Sequence, residues 1–169
     1  MVSSVQCQIR PLAAADEPVL WEIVYHAIYV PDDRAPPPRS IVHHPNIARY
    51  VRGWGRAHDS GYAAVVPDTR QVVGAAWLRL LTAPERGYGY IDDRTPELTI
   101  ALLPRYRGMG IGTRMMNALI ASAAQRYRAI SLSVSPENPA MRLYARLGFE
   151  VVGGSELSLT MKKELQREK

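Results

Sequence analysis

The stretch Pro-Arg-Tyr-Arg-Gly-Met-Gly-Ile-Gly-Thr, residues 104–113, decides how the rest of this 169-residue chain is interpreted. It follows an apolar run at residues 98–103 that is typical of a strand, and it precedes a helical pattern at residues 114–126. A strand, a glycine-rich turn and a helix N-terminus in this order form a cradle for phosphate, because the first N–H groups of a helix lack internal partners. Glycine also lets the backbone approach a ligand closely. Arg105 and Arg107 add positive charge beside the turn.

Length and composition indicate a single globular domain, which we place at residues 5–165. Hydrophobic residues make up 47% of the chain, which is too high a fraction for a disordered protein. The formal net charge of +5 suits an anionic ligand. No nucleic-acid partner is expected, because no stripe of Lys and Arg interleaved with aromatic residues is present.

The cysteine and histidine content argues against a metal centre and for a reducing compartment. Cys7 is the only cysteine, which excludes a disulfide framework and a multi-cysteine zinc site and favours the cytoplasm. The four histidines show no metal-ligand spacing, so no metal is expected. No membrane partner is expected either, because no apolar run approaches the roughly 20 residues that span a bilayer.

Hydrophobic periodicity predicts elements in the order β-α-α-β-β-β-α-β-α-β-β. Asp16 is expected to cap the first helix and Asn46 the second. Strands are predicted at residues 5–12, 61–66, 72–81, 97–103, 129–135, 149–153 and 157–161, and helices at residues 16–29, 46–54, 114–126 and 138–147. The proline-rich segment at residues 31–45 is interpreted as an ordered loop rather than a linker between domains, because what precedes it is too short to be a domain.

A glycine-rich turn by itself also occurs in Walker and Rossmann sites. The Walker form fails here, because no Gly-Lys-Ser/Thr closes the loop. The Rossmann form is disfavoured by the late position of the turn and by the absence of an acidic residue from the next strand, residues 130–135.

Two motifs in the second half of the chain together resemble the GCN5-related N-acetyltransferase (GNAT) family. Residues 107–112, Arg-Gly-Met-Gly-Ile-Gly, match the Q/R-x-x-G-x-G/A signature of that family. Residues 138–149, Asn-Pro-Ala-Met-Arg-Leu-Tyr-Ala-Arg-Leu-Gly-Phe, resemble its second motif, at the usual separation and in the usual order. The resemblance covers residues 96–153 well, whereas over residues 5–81 only the order of elements agrees.

The resemblance implies an α/β fold with a mixed, mostly antiparallel sheet of about six or seven strands flanked by helices. Two central strands, residues 98–103 and 130–134, would splay apart. The implied cosubstrate is acetyl-CoA, and the implied partners are an amine acceptor and a second copy of the chain in a homodimer.

The resemblance also implies where acetyl-CoA would bind. The pyrophosphate would lie on the glycine turn, and the pantetheine arm would fill the gap between the two splayed strands. The residues that this implies for acetyl-CoA binding are Leu102, Leu103, Arg105, Arg107, Gly108, Met109, Gly110, Ile111, Gly112, Thr113, Asn138 and Tyr144.

The reaction that the resemblance implies is direct attack of a neutral amine on the thioester. Tyr144 would protonate the departing thiolate, and backbone N–H near Leu102 would stabilise the developing oxyanion. Glu97 is the candidate base, acting directly or through water. From the residue pattern alone, Tyr144 is a half-buried core tyrosine, Asn138 is a helix cap and Glu97 is a solvated carboxylate at the start of a strand.

Two other functions remain open from the sequence. The first is a non-catalytic acyl-CoA sensor on the same fold, which would need the glycine turn but neither Tyr144 nor a base. The second is a different nucleotide-binding α/β enzyme. The acceptor is not identified, although the Gly-Tyr-Gly-Tyr segment at residues 87–90 precedes the central strand, in a region that borders the acceptor site in the GNAT family.

Overall fold

A computed structural model describes residues 6–166 of the chain. Within those residues one seven-stranded sheet runs in the order β1-β2-β3-β4-β5-β7-β6. The strands are β1 (Gln8–Pro11), β2 (Ser60–Val65), β3 (Val72–Arg79), β4 (Glu97–Leu102), β5 (Ala129–Val134), β6 (Glu150–Gly154) and β7 (Leu159–Glu164), and the α-helices are α1 (Glu17–Ala27), α2 (Pro45–Ala48), α3 (Ile111–Ala123) and α4 (Met141–Arg146). The element order and the mixed, mostly antiparallel sheet confirm the predicted fold class.

The sheet opens in its centre, between β4 and β5. These two strands are parallel and pair only at Glu97 and Ser131, whereas the other neighbouring strands are antiparallel. The N–H of Leu103 donates to the carbonyl of Val73 (2.8 Å), so the odd-numbered residues of this segment exchange backbone hydrogen bonds with β3. The peptide groups of the even-numbered residues therefore face β5, and beyond the Glu97–Ser131 pair they face a widening gap.

Side chains from the two faces of the sheet pack into two separate cores. The core under α3 and α4 contains Met115, Leu119 and Ile130, together with other apolar residues. The opposite core lies under α1 and α2 and contains Leu20 and Trp77. Alternation along β4 and β5 places Glu97 and Ser131 on the α1–α2 face, because their neighbours Leu98, Ile130 and Leu132 belong to the other core.

The predicted second helix is wrong in extent and in its cap. Helix α2 covers only Pro45–Ala48, and His44 rather than Asn46 is its N-cap, with His44 Nδ1 accepting from the N–H of Asn46 (3.2 Å). The chain then continues in turns to residue 53. An arginine of β3 accounts for the early end, because its guanidinium binds the carbonyls of Arg49 and Arg52, two acceptors that a continued helix would use.

Other predicted ends shift by a few residues. Strand β1 is shorter than predicted, and residue 5 of that prediction lies outside the described residues. Helix α1 ends at Ala27, and the Asp16 carboxylate binds Arg10 and the N–H of Ala13 instead of capping the helix through its side chain. Helix α3 begins three residues earlier than predicted, because Gly110 in the left-handed conformation already serves as its N-cap.

Arg79 on β3 joins the sheet to the segment that follows α2. Its side chain is buried and donates to both carboxylate oxygens of Asp59 (3.1 and 2.9 Å) and to the carbonyls of Arg49 and Arg52 (3.0 and 2.6 Å). Asp59 in turn accepts from the N–H of Arg56 (2.9 Å). The buried guanidinium charge of Arg79 is stabilised because the Asp59 carboxylate and the two carbonyls all accept hydrogen bonds from it.

Candidate active site

The glycine turn between β4 and α3 is open on its outer side. Gly108 (φ +75°) and Gly110 (φ +79°) have left-handed backbone conformations, which favour glycine, and a Cβ added to either would meet nothing within 4 Å. The first backbone bond of α3 runs from the N–H of Arg114 to the carbonyl of Gly110 (3.2 Å). The N–H groups of Ile111, Gly112 and Thr113 therefore have no partner within the helix and are suited to bind an anion.

The turn lies directly beside the gap in the sheet. A Cβ built on Gly112 would lie 3.8 Å from the side chain of Leu102, 3.9 Å from that of Ile100 and 4.0 Å from that of Leu143 on α4. The exposed side chain of Met109 is at the tip of the turn. The structure thus brings the turn, the end of β4 and the second sequence motif together.

The two arginines of the turn differ in their surroundings. Arg105 is exposed and its guanidinium lies 5.3 Å from the ring centroid of Tyr106. Arg107 is also exposed, but Nε donates to the carbonyl of Leu102 (3.3 Å) and its NH2 group donates to the carbonyl of His26 (3.2 Å). Arg107 therefore ties the end of α1 to the end of β4.

Asn138 caps the turn before α4 rather than the helix itself. Its side-chain oxygen accepts from the N–H of Ala140 (2.9 Å), and α4 begins only at Met141. The side-chain NH2 is the part of Asn138 that points away from this cap and is suited to donate to a ligand.

Tyr144 is more deeply buried than its sequence pattern suggests. Its side chain is 8% exposed and packs edge-on against Phe149, with ring centroids 6.0 Å apart. Burial raises the pKa of the Tyr144 hydroxyl to about 12. The hydroxyl therefore keeps its proton at any physiological pH and has the protonation state that a general acid needs.

Glu97 is buried rather than solvated. It is 2% exposed, and its carboxylate accepts from the Tyr50 hydroxyl (Oε1, 3.1 Å), the Gly89 N–H (Oε1, 2.8 Å) and the Gly87 N–H (Oε2, 3.0 Å). The Tyr50 hydroxyl accepts in turn from the N–H of Tyr88 (2.7 Å). Burial raises the pKa of Glu97, and the two glycine N–H groups oppose that rise. Glu97 and Tyr50 thus hold the segment at residues 87–90, which we name the acceptor loop.

Sequence reasoning missed Tyr50 and Ser131. Tyr50 lies inside the predicted helix at residues 46–54, whereas in the structure it follows the end of α2 and its hydroxyl contacts Glu97 and the N–H of Tyr88. Ser131 is fully buried beside Glu97 in the β4–β5 pair, and among the described residues its Oγ is the one buried side-chain polar atom without a hydrogen-bond partner. The alternating serines of β5 were a signal in the sequence, but only the register reveals which one faces Glu97.

The described residues contain no group of three or more His, Cys, Asp or Glu side chains able to hold a metal ion. Across the same residues, no helix combines the length and the apolar character that crossing a membrane requires.

Comparisons with known proteins agree with this geometry. A family model described as "Acetyltransferase (GNAT) family" matches residues 24–149. Similar solved structures include a GNAT superfamily phosphinothricin acetyltransferase from Sinorhizobium meliloti in complex with AcCoA, with a TM-score of 0.65, 22% identity and coverage of 95% of this chain and 89% of that one. A search of curated protein sequences finds no match.

Two further solved structures share the fold. The PaiA N-acetyltransferase from Thermoplasma acidophilum, in complex with coenzyme A, has a TM-score of 0.64 and 17% identity, with coverage of 94% of this chain and 99% of that one. A ribosomal-protein-alanine N-acetyltransferase from Brucella melitensis has a TM-score of 0.64 and 22% identity, with the same coverages.

Proposed function

Because the chain belongs to the GNAT acetyltransferase family, we propose that it transfers an acetyl group from acetyl-CoA to a primary amine, using residues 5–165 as one catalytic domain. The observation that carries this proposal is the gap between β4 and β5. The gap leaves the peptide groups of Ile100 and Leu102 facing an opening that begins beside the glycine turn, and α4, the helix that carries Tyr144, contacts that turn through Leu143.

The residues present suit acetyl-CoA. A peptide-like pantetheine arm pairs naturally with an open strand edge, and the even-numbered residues Ile100 and Leu102 offer that edge. Leu103, which the family resemblance also implied, already donates its N–H to the carbonyl of Val73, so its backbone is directed into the sheet. The N–H groups of Ile111 and its two successors in the first turn of α3 are suited to the pyrophosphate.

The proposed chemistry assigns one role to each of three groups. The amine nitrogen attacks the thioester carbonyl carbon, and backbone N–H at Leu102 stabilises the oxyanion. The Tyr144 hydroxyl protonates the thiolate as the carbon–sulfur bond breaks. Glu97 takes a proton from the acceptor ammonium, and the burial of its carboxylate requires an intervening water.

The identity of the acceptor can be tested directly with a panel of amines. Purified protein and acetyl-CoA are incubated with phosphinothricin, spermidine and a peptide that begins with alanine, and free thiol is measured with time. The names of two similar proteins, which act on phosphinothricin and on a ribosomal-protein alanine, motivate two of these amines. Acetyl-CoA binding by calorimetry without thiol release from any primary amine would favour the sensor function and contradict an enzyme.

An added charge at Gly110 separates phosphate binding from backbone strain. Asp and Asn both serve as N-caps and both tolerate the left-handed conformation. We expect Gly110→Asp to raise the Kd for acetyl-CoA about 10- to 100-fold above that of Gly110→Asn, because only Asp places a negative charge against the pyrophosphate. Calorimetry at low and high salt measures both variants, and the difference should shrink as salt screens the charge. Equal Kd values for the two variants would remove the pyrophosphate from this turn.

A substitution at Glu97 also alters its hydrogen bonds to the acceptor loop, so a test of its role as a base needs a control variant. Glu97→Gln removes the base, but the new amide NH2 also faces an N–H of the acceptor loop. Tyr50→Phe loosens the same loop and leaves the carboxylate in place. We expect Glu97→Gln to lower kcat/KM about 100-fold and to abolish its acid limb, and Tyr50→Phe to keep that limb.

The pH dependence of the wild type follows from the direction of the Glu97 shift. Burial raises the pKa of this carboxyl, so the base is protonated up to a higher pH than an exposed glutamate, and the acid limb should lie above the ordinary value of 4.5. Matching pH profiles for Glu97→Gln and Tyr50→Phe would assign the acid limb to the position of the loop instead of to a base.

We also propose a homodimer in a reducing, cytoplasmic setting. The edge strand β6 is exposed along its whole length and carries Val151 and Val152, which supports self-association, and the single Cys7 supports the compartment. Light scattering coupled to size exclusion tests the dimer.

A further inference from the structure

No hydrogen bond within the described residues engages the hydroxyl of Ser131. The residue is fully buried, and Oγ has no hydrogen-bond partner among the described residues. Such a group costs free energy unless something binds it, and a bound water is the usual partner of an isolated buried hydroxyl. Ser133, two residues along the same face, differs because its Oγ bonds to Oγ of Ser158 (2.5 Å).

The neighbour of Ser131 is Glu97. These two residues form the single pair between β4 and β5, and their side chains point to the same face of the sheet. A carboxylate offers about four acceptor positions. Three are taken, two on Oε1 and one on Oε2, so one position on Oε2 remains for a further donor.

The acceptor loop packs against the backbone of β5, next to Ser131, and against the Glu97 carboxylate. A Cβ added to Gly89 would lie 2.8 Å from the carbonyl carbon of Leu132, and one added to Gly87 would lie 2.6 Å from the Glu97 carboxylate oxygens. The loop backbone therefore lies directly on β5 and on Glu97. An amine held in the gap is kept from the carboxylate, and a small molecule that both donates and accepts hydrogen bonds has to connect them.

We propose that Ser131 positions a water molecule that bridges its Oγ and Oε2 of Glu97 and relays the proton of the acceptor ammonium. The water donates one hydrogen to Oε2 and accepts the hydrogen of the Ser131 hydroxyl. When the ammonium loses a proton to the water oxygen, the water passes its own hydrogen to Glu97, so the water is regenerated and the amine is neutral. Ser131 is thus a positioning residue, and the inference rests on the proposed acetyl transfer.

Charged and titratable groups of the surrounding elements also influence the protonation of Glu97. Several are already paired, as Arg79 is with Asp59 and Lys162 with Glu164. Arg49 favours the charged form of Glu97, whereas burial opposes it. The groups that face this pair from neighbouring elements are Arg49 and Tyr50 after α2, Arg79 on β3, and Lys162 on β7 with Asp92 near it. None of them changes between the two variants compared below.

The kinetic test compares Ser131→Ala with Ser133→Ala, using the amine of the panel that has the highest kcat/KM. We expect Ser131→Ala to lower kcat/KM about tenfold at pH values where the acceptor is an ammonium, and to approach the wild type where the free amine predominates. Ser133→Ala should follow the wild-type profile. Superimposable profiles for Ser131→Ala and the wild type would overturn the proposal, as would an equal loss at all pH values.

The structural test does not depend on turnover. Crystal structures of the wild type and of Ser131→Ala should show a water within about 3.2 Å of Glu97 Oε2 in the wild type and no water there in the variant. The variant should melt at the same temperature as the wild type or higher, because it buries no hydroxyl. A dry wild-type site would overturn the inference and leave acetyl transfer standing, whereas a bound water without turnover on any amine would contradict acetyl transfer and the proton relay and leave only the water site standing.

Discussion

Replacing Tyr144 with phenylalanine is expected to lower kcat about 100-fold while changing the affinity for acetyl-CoA less than about threefold. Phenylalanine keeps the edge-on contact with Phe149 and the packing of the core, so only the hydroxyl is lost. Without that hydroxyl the thiolate leaves unprotonated, which costs more in the transition state than in the bound complex. Steady-state kinetics and calorimetry on the same preparation measure the two effects.

Tyr106 provides the matched control for Tyr144. It is another buried tyrosine of the same core, but it lies on the short helical turn at Pro104–Tyr106, before the glycine turn. Tyr106→Phe should leave kcat within about twofold of the wild type.

Because the pKa of the Tyr144 hydroxyl is about 12, deprotonation of that hydroxyl should affect the rate of the wild type only well above pH 10. An unchanged kcat in Tyr144→Phe would remove the acid role.

Replacing Arg79 with methionine is expected to lower the free energy of unfolding by about 3–5 kcal/mol. The change leaves the Asp59 carboxylate buried without its cation and frees the carbonyls of Arg49 and Arg52. Those two carbonyls belong to the segment that also carries Tyr50, so the acceptor loop should loosen as well. Urea unfolding at pH 7 measures the stability.

An exposed ion pair of the same chemistry is the control for Arg79. Arg56 and Glu85 lie 3.0 Å apart, with side chains 43% and 52% exposed. Arg56→Met should cost no more than about 1 kcal/mol, because water and salt already screen the pair. Equal losses in the two variants would mean that the burial of Arg79 contributes nothing measurable.

Sequence periodicity was sufficient for the order of elements and for the glycine turn, because both depend on local pattern. The turn in particular follows from the φ preference of glycine, which the structure shows at Gly108 and Gly110. Asn138 and Tyr144 came from a motif, and motif spacing fixes positions along the chain but not burial. The solvated alternative for Glu97 was wrong because its burial depends on residues 87–90 folding back over the strand.

Long-range contacts account for the features that the sequence did not reveal. The end of α2 depends on Arg79, which is 27 residues from Arg52 and reaches it only through the sheet. The pairing of Ser131 with Glu97 depends on a single point of parallel register. The direction of the Leu103 N–H depends on its pairing with Val73 on β3. The alternation of apolar and polar residues along a single strand does not determine any of these three contacts.

The single pair between β4 and β5 also affects how the protein resists aggregation. Unpaired strand edges normally occur at the outside of a sheet, where they template pairing with other chains, but this protein has two more in its interior. The closed end at Glu97 and Ser131 limits them to a short wedge, too short for a foreign strand to pair along its full length. A cosubstrate arm that fills the wedge would supply the missing hydrogen bonds, so the same feature that admits acetyl-CoA would leave these two interior edges unable to pair with a foreign strand.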